Sequence, residues 1–257
     1  MKALRPALAI IALSTALTAH AQVVLTGTSY TQDFNAIGSG LPAGWSVSTS
    51  ATLSALGDAA IFTQAATVWS STTGVFRNIA SNTGTTSDNT ATQNANTDRA
   101  LGWRPVGVTS ENTGPRQGAV TFALANTSGL QNFNLSVSIF TANDVANNQT
   151  YALEYRVGTT GNFTSLGTYT TGTPFNPTTL TANSVTLSAL NNQSEYVFIR
   201  IRGTSLTGTG NLDTLGIDNF SLTYTAVPEP STYAFLAGVA VLAFVVARRR
   251  YRPCAVA

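Results

Sequence analysis

Several short segments of the chain alternate strictly between apolar and polar residues, and this pattern restricts the fold more than any other feature. In residues 132–139, Asn-Phe-Asn-Leu-Ser-Val-Ser-Ile, the four apolar side chains fall on one face of an extended strand. The same period recurs in residues 151–157, 196–202 and 215–224. Clusters of Gly, Asn, Thr and Ser, which favour turns, separate the runs. The pattern predicts an all-β fold, a β-sandwich of short strands.

Two local expectations come from the same segments. The last run places Phe220, Leu222 and Tyr224 on a single face, which we expect to be the core face. Residues 81–97 are polar or small throughout and cannot bury apolar surface, so they predict a long surface loop. No apolar run of helical period and length occurs in residues 22–226.

The start of the chain has the parts of a secretory signal peptide in order. Lys2 and Arg5 form a positive region, an apolar stretch covers residues 7–17, and Ala19-His20-Ala21 is a small-residue cleavage pattern. We therefore expect residues 1–21 to be a signal peptide for the general secretion machinery, and the mature protein to begin near Gln22. A buried N-terminal helix is the alternative.

The end of the chain has a different three-part pattern. Val227-Pro228-Glu229-Pro230 interrupts regular structure, residues 233–247 carry no charge, and Arg248-Arg249-Arg250 follow. As a helix, those fifteen uncharged residues span roughly 22 Å, short of a bilayer's ~30 Å apolar core. Residues 231–232 add roughly 3 Å, and snorkelling arginines can cover the rest. We expect a marginal transmembrane helix over residues 231–247; a buried core helix is the alternative.

These three parts resemble the PEP-CTERM sorting signal, which has the same order at the extreme C-terminus. The resemblance implies that residues 227–257 are a sorting tail recognised by an exosortase, a membrane-embedded enzyme that cuts near the Pro-Glu-Pro. It implies a Gram-negative bacterium that makes exopolysaccharide, transient anchoring in the inner membrane, and delivery to the cell surface or the extracellular matrix. The last four residues, 254–257, also fit a prenylation pattern, which a chain with a secretory signal does not use.

Composition excludes many kinds of chemistry from the intervening domain, residues 22–226. The only histidine, cysteine, lysine and methionine of the chain are His20, Cys254, Lys2 and Met1. The domain therefore has no Cys or His zinc ligands, no Ser-His triad and no lysine Schiff base. Seven arginines and ten acidic residues give it a net charge of −3, so no basic surface suggests a nucleic acid.

Paired carboxylates are the remaining route to catalysis. Glu154 and Glu195 lie in or beside strand-like runs, without the close acid–acid spacing of many glycoside hydrolases. We interpret both as solvated carboxylates on strand faces, next to arginines. The domain is therefore expected not to be an enzyme, with a glycoside hydrolase as the third functional alternative.

Four short segments also resemble secreted bacterial jelly-roll domains related to concanavalin-like lectins. They are Asp-Phe at 33–34, Leu-Pro-Ala-Gly-Trp at 41–45, Asp-Arg-Ala-Leu-Gly at 98–102, and Leu-Gly-Ile-Asp-Asn-Phe-Ser-Leu at 215–222. The resemblance implies that the first and last strands, residues 23–34 and 217–224, pair in one sheet.

The same resemblance implies a sugar-binding face and a structural calcium ion. Asp213 and Asp218 are candidate calcium ligands because carboxylate oxygens suit that ion, although turn and strand-end aspartates are common. Trp45, Trp69 and Trp103 could stack on sugar rings, but three tryptophans in such a domain also suit its core.

The sequence thus supports two functions of the exported domain. The first, which we favour, is a non-catalytic secreted or cell-surface protein with a structural or adhesive part in an exopolysaccharide matrix. The second is a carbohydrate-binding, lectin-like module.

Overall fold

The computed structural model describes residues 22–72, 74–81, 89–105, 117–143, 149–172, 174–206, 212–228 and 230–250. Two β-sheets dominate it. The seven-stranded sheet contains β1 (Ser29–Gln32), β4 (Phe62–Ala66), β5 (Phe76–Ala80), β6 (Arg99–Trp103), β8 (Leu130–Asn143), β11 (Thr178–Ala182) and β13 (Thr214–Ala226). The six-stranded sheet contains β2 (Trp45–Thr49), β3 (Asp58–Ala59), β7 (Ala119–Leu124), β9 (Gln149–Val157), β10 (Thr164–Thr170) and β12 (Val197–Leu206).

The chain passes repeatedly from one sheet to the other. Strands β7, β9, β10 and β12 belong to the six-stranded sheet, whereas β8, β11 and β13 between and after them belong to the other. The pairings are antiparallel, except that β4 runs parallel to β5. This connectivity confirms the predicted all-β, jelly-roll-like β-sandwich.

Apolar side chains from the inner faces of both sheets form one core. The four apolar residues predicted for one face of residues 132–139 are all buried there. Their partners on the opposite sheet come from alternate positions of β7, β9 and β12, including Phe122, Leu153 and Ile199. Two-residue alternation therefore accounts for which half of β8 faces this core, whereas β5, β6 and β7 are buried on both faces.

The final strand confirms the predicted core face and adds a bend. Phe220, Leu222 and Tyr224 are buried, whereas Thr223 between them is exposed. Asn219 has a positive φ of 45°, and the pairing of β13 with β8 changes register at this point. Strict alternation would turn Ile217 away from the face that Phe220 occupies. Because of the extra residue at the bend, Ile217 faces the core as well.

The pairing of first and last strands is confirmed but is shorter than predicted. Strand β1 pairs antiparallel with β13, and Tyr30 lies opposite Leu222. Val23, in contrast, forms a bridge with Leu124 of the other sheet. The prediction of one strand over residues 23–34 was therefore wrong, because the chain crosses between the sheets within it.

A short helix, α1 (Thr90–Ala95), lies in the segment predicted as a surface loop. The Asn89 side chain caps it by accepting a hydrogen bond from the backbone N–H of Thr92. Gln93 is buried and accepts a hydrogen bond from the backbone N–H of Ala80. The loop prediction was wrong for these residues because one polar side chain anchors the turn; residues 82–88 lie outside the described residues.

A second helix, α2 (Pro230–Arg250), follows the last strand and agrees with the predicted C-terminal helix. Its large apolar side chains are exposed, among them Phe235, Leu242 and Phe244. Over the part of the chain that the structure describes, no helix has the length and apolar character needed to cross a membrane. The predicted signal peptide, residues 1–21, and residues 251–257 lie outside the described residues.

Candidate functional site

Four neighbouring strands of the seven-stranded sheet present hydroxyl and amide side chains on its outer face. They occupy the polar positions of these strands, and the apolar positions that alternate with them face the core. We call this surface the hydroxyl face, and its nine residues are Ser29 and Thr31 on β1, Ser221 and Thr223 on β13, Asn134, Ser136 and Ser138 on β8, and Thr179 and Thr181 on β11.

Strand register sets these side chains in rows. Ser221 lies opposite Thr31 on one neighbour and opposite Ser136 on the other. Ser136 in turn lies opposite Thr181 on β11, which extends the row across all four strands. Neighbouring residues of one row are ~4.8 Å apart across the strands, and successive rows are roughly 6.7 Å apart along each strand.

The hydroxyl groups of this face are available to a ligand or to water. Within the described residues, none of its eight Ser and Thr hydroxyls makes a hydrogen bond to protein. The amide of Asn134 is held instead: it donates to the Asn132 carbonyl oxygen at 3.1 Å and accepts from the Ser184 backbone N–H at 3.1 Å. The face thus combines one oriented amide with many unpaired donors and acceptors.

Two shallow grooves run over the hydroxyl face. The first has a volume of about 380 Å³, and Leu166 and Thr186 are among the residues that line it together with Ser136. The second, of about 270 Å³, lies between β1 and β13 and has Asp33 at its end. The two grooves share Ser221 among their lining residues, so they adjoin each other on this face.

The rest of this sheet's outer face is closed by a second, smaller apolar cluster. Trp69, Ile79 and Phe140 are buried in it, and Phe175 packs against them. The Trp69 and Phe175 ring centroids are 4.3 Å apart. The open part of the outer face is therefore the region of the hydroxyl face.

The outer face of the six-stranded sheet is closed by charged side chains and a loop. Glu154 on β9 is 2 % exposed and lies opposite Arg200 of β12. Its carboxylate accepts from Arg200 Nε at 2.8 Å and from Arg202 Nη2 at 2.7 Å. Burial lowers the pKa of Arg200 to about 10, and the charge of Glu154 partly opposes that change.

The loop over this charged group is fastened by its carbonyl oxygens. Arg200 donates to Thr52 O at 2.7 Å and to Ala55 O at 2.9 Å, and Arg156 donates to Ser54 O at 2.6 Å. The Arg200 guanidinium also stacks 3.4 Å from the Phe163 ring centroid. Arg156 and Arg200 therefore hold the loop against the sheet.

Glu154 and Glu195, which we interpreted as solvated carboxylates on strand faces, have different surroundings. The interpretation was wrong for Glu154, which is buried against the arginines of the neighbouring strand. Glu154 is committed to two arginines, whereas Glu195 is exposed ahead of β12 and makes no hydrogen bond or ion pair with the described residues. Glu195 lines a groove to which Glu154 does not contribute. The structure does not bring them together in one cleft among the described residues.

The three tryptophans considered as possible sugar-stacking residues lie in the interior. Trp103 is 0 % exposed, and the Nε1 atoms of Trp45 and Trp69 donate to Tyr30 Oη at 2.9 Å and Ala80 O at 3.2 Å. Since all three are buried, none presents a ring face to a sugar. This corrects their candidate role and agrees with the alternative of core residues.

Of the two candidate calcium ligands, Asp213 directly precedes β13 and Asp218 lies within it. Asp213 is fully buried and accepts a hydrogen bond from Thr171 Oγ1. Asp218 accepts from Ser81 Oγ at 2.6 Å. Four residues of extended strand lie between the two, and the five residue steps place them roughly 16 Å apart, so they cannot ligate one ion.

Asp218 has other acidic side chains near it. Burial raises its pKa, and the charges of Asp98 and Asp33 raise it further. Within the described ranges, no group of three or more His, Cys, Asp or Glu side chains is arranged to hold a metal ion. A calcium ion at Asp218 stays a prediction.

The sorting-motif residues follow the sandwich without a linker. Val227 still donates its backbone N–H to Gly129 O at 2.7 Å, one residue beyond the end of β13. Pro228 is exposed, and Pro230 begins α2, whose last turns contain Arg248, Arg249 and Arg250. Glu229 lies outside the described residues.

The hydroxyl face was not identified from the sequence. Its signal was present in the polar positions of the alternating runs, which are Asn, Ser or Thr where many proteins carry Lys, Glu or Arg. Which polar positions lie side by side depends on strand order, and alternation within one strand does not reveal that order.

Comparison with known proteins identifies the C-terminal segment. Residues 226–250 match the family model of the PEP-CTERM protein-sorting motif. No curated protein sequence matches the chain significantly. The motif indicates that the protein is exported, processed by an exosortase at the membrane, and located at the cell surface or outside the cell.

Solved structures similar to the chain are distant from it in sequence. A family 22 carbohydrate-binding module of Clostridium thermocellum Xyn10B has 11% identity and a TM-score of 0.43, covering 79% of this chain and 96% of that one. The K1 cleaved adhesin domain of Lys-gingipain from Porphyromonas gingivalis W83 has 15% identity and a TM-score of 0.41, covering 77% and 98%.

Proposed function

We propose that this exported protein is a non-catalytic component of the cell surface or the exopolysaccharide matrix, and that its hydroxyl face binds neutral polysaccharide. The observation that carries the proposal is the array of unpaired hydroxyls on four adjacent strands. Sugar hydroxyls donate and accept hydrogen bonds, as do Ser and Thr side chains, so both partners can be satisfied. The face is long and shallow, which suits an extended chain more than a small molecule.

Charge favours a neutral ligand over an acidic one. The nine residues of the hydroxyl face carry no charge, and the nearest acidic side chains, Asp33 and Asp218, lie at one end of it. An acidic polysaccharide would gain no cationic partner there and would meet like charge. Binding should therefore depend little on salt.

The absence of an aromatic platform on this face implies weak binding of each sugar unit. A hydrogen bond exchanged for one with water contributes only about 0.5–1.5 kcal/mol. Many repeated contacts along one polysaccharide chain would raise the overall affinity. Weak, repeated contacts suit a structural or adhesive part in a hydrated matrix.

Affinity electrophoresis tests this proposal. Full-length protein is run in gels containing xylan, galactomannan or hydroxyethylcellulose, with alginate as the acidic comparison. We expect at least one neutral polymer to retard the protein, and the retardation to persist in high salt. Ser136→Leu fills the larger groove and should abolish the effect, whereas Thr168→Leu, on exposed β10, should not. Retardation by alginate alone, or unchanged by Ser136→Leu, would contradict the proposal.

We also propose that the tail holds the precursor at the inner membrane until cleavage. The exposed apolar side chains of α2 and the arginines at its end support this role. Processing should leave a protein that begins near Gln22 and ends near Pro230. Intact-mass measurement on protein from the producing cells tests this, and a stable product that keeps Arg248 would favour a permanent anchor.

The proposal that the domain is not an enzyme rests on its side chains. The domain lacks His, Cys and Lys, and Glu154 is held by two arginines. An assay for glycan cleavage tests this part of the proposal. Cleavage by the wild type that is lost in Glu195→Gln or Glu154→Gln would overturn it.

A further inference from the structure

A third groove lies away from the hydroxyl face, between the segment before β12 and the loop after β9. Its volume is about 510 Å³, and it is lined by Ala125, by residues 158–160 and by residues 194–196. We call it the Tyr196 groove. It shares no lining residue with the two grooves of the hydroxyl face.

The two walls of the Tyr196 groove are fixed to each other. Gly158 donates its backbone N–H to the Tyr196 carbonyl oxygen at 2.8 Å. Gly158 has a φ of +83°, and a Cβ at this position would lie 2.5 Å from Glu195 Oε2. The positive φ favours glycine here, and a side chain at this position would displace the Glu195 carboxylate.

The groove combines three kinds of side chain that suit a sugar. Tyr196 is 39 % exposed, and its ring lies 6.3 Å from that of Phe198, which is buried beneath. Glu195 and the Tyr196 hydroxyl have no hydrogen-bond partner among the described residues. Thr159, Thr160 and Ser194 add neutral hydroxyls around them.

We infer that the Tyr196 groove binds a single neutral pyranose unit. The aromatic face of Tyr196 packs against the apolar C–H face of the sugar ring, since Tyr offers an apolar body with a polar tip. The Glu195 carboxylate, which only accepts, receives a sugar hydroxyl in a charge-assisted hydrogen bond. A uronic acid is disfavoured because its carboxylate would approach Glu195 without a cation in the groove.

This inference does not rest on the hydroxyl face, because the two surfaces share no residue and differ in chemistry. The hydroxyl face is long and without aromatic side chains, whereas the Tyr196 groove has one ring and one carboxylate, enough for one sugar unit. A protein with both could hold one polysaccharide chain along its sheet and one sugar residue of another in the groove. That arrangement joins two chains through one folded domain.

Saturation-transfer NMR with the full-length protein tests the inference. The probes are the methyl glycosides of glucose, galactose and mannose, with methyl glucuronide as the anionic comparison. We expect at least one neutral glycoside to receive saturation at the C–H groups of one ring face. Tyr196→Ala should remove the signal, and Tyr196→Phe should keep it. Glu195→Gln should weaken affinity by up to about tenfold, because the amide oxygen still accepts the sugar hydroxyl but the charge assistance is lost.

Controls separate this site from the hydroxyl face and from misfolding. Ile61→Ala changes a side chain that is 86 % exposed and lies outside the groove, so it should bind like the wild type. Ser136→Leu should also bind the glycosides normally, even though it blocks the hydroxyl face. Thr160→Leu, which places a larger non-aromatic side chain at an exposed position of the groove wall, provides a second blocking variant if Tyr196→Ala does not fold. Saturation of no neutral glycoside, equal saturation of methyl glucuronide, or saturation unchanged by both groove variants would overturn the inference.

Discussion

Replacing Glu154 by alanine should destabilise the sandwich much more than the same change at Glu195. The change removes the anion that Arg200 and Arg202 share and leaves Arg200, whose side chain is 0 % exposed, without a counter-charge. Removing one partner of a buried ion pair costs about 3–5 kcal/mol, because the remaining charge is buried and uncompensated.

The structure places the expected loss at the lower end of that range. Arg202 is partly exposed, so it can turn towards water, and Arg200 keeps its bonds to Thr52 O and Ala55 O. We therefore expect a loss of about 3 kcal/mol, which in a domain of this size lowers Tm by roughly 6–12 °C. The measurement is urea and thermal denaturation of the full-length chain, followed by circular dichroism.

Glu195→Ala is the matched control. It removes the same group from an exposed position without a protein partner, so stability should change by no more than about 0.5 kcal/mol. A double variant with Met in place of both Glu154 and Arg200 should recover much of the loss, because apolar residues can replace a buried pair. If Glu154→Ala lowered the free energy of unfolding no more than Glu195→Ala, the structural role assigned to Glu154 would be refuted.

Two further predictions concern β13. Phe220→Ala should cost about 3–5 kcal/mol in urea denaturation, because the ring packs against Trp45 and Phe122, whereas Ser221→Ala should stay within about 0.5 kcal/mol; the reverse order would mean that the strand faces are exchanged. Since burial raises the pKa of Asp218 above its unfolded value of 3.8, the stability it contributes is complete below pH 3.8 and is lost as pH rises through the folded pKa. Asp218→Asn should therefore raise Tm at pH 7, with the gain shrinking towards pH 3.8; a lower Tm, with added calcium stabilising only the wild type, would instead support the calcium prediction.

The sequence predicted features that depend on neighbouring residues better than features that depend on residues far apart in the chain. Alternation in residues 132–139 is local, and it correctly identified the buried face of β8. The bend at Asn219 could have been read from the change of parity between Ile217 and Phe220, but it shows only when both are taken as core residues. The helix α1 has six residues, too few to show a helical period.

The candidate sites depend on register between distant strands. Glu154 meets Arg200 because β9 pairs with β12 at that position, 46 residues apart, and no pattern within either strand reveals this. The tryptophans illustrate the converse: their type suits a sugar platform, but their neighbours bury them. The hydroxyl face likewise needs the order β1, β13, β8, β11 before its side chains become one surface.

Threonine-methyl NMR of the full-length protein, titrated with the neutral polysaccharide that retards it in gels, tests the central claim most directly. Thr179, Thr181 and Thr223 belong to the hydroxyl face, whereas Thr168 and Thr170 are exposed on β10 of the other sheet. We expect the methyl signals of the first three to shift or broaden together as polymer is added, and those of the β10 pair to stay constant. Shifts confined to Thr168 and Thr170, with the hydroxyl face unchanged, would contradict the claim that polysaccharide binds there.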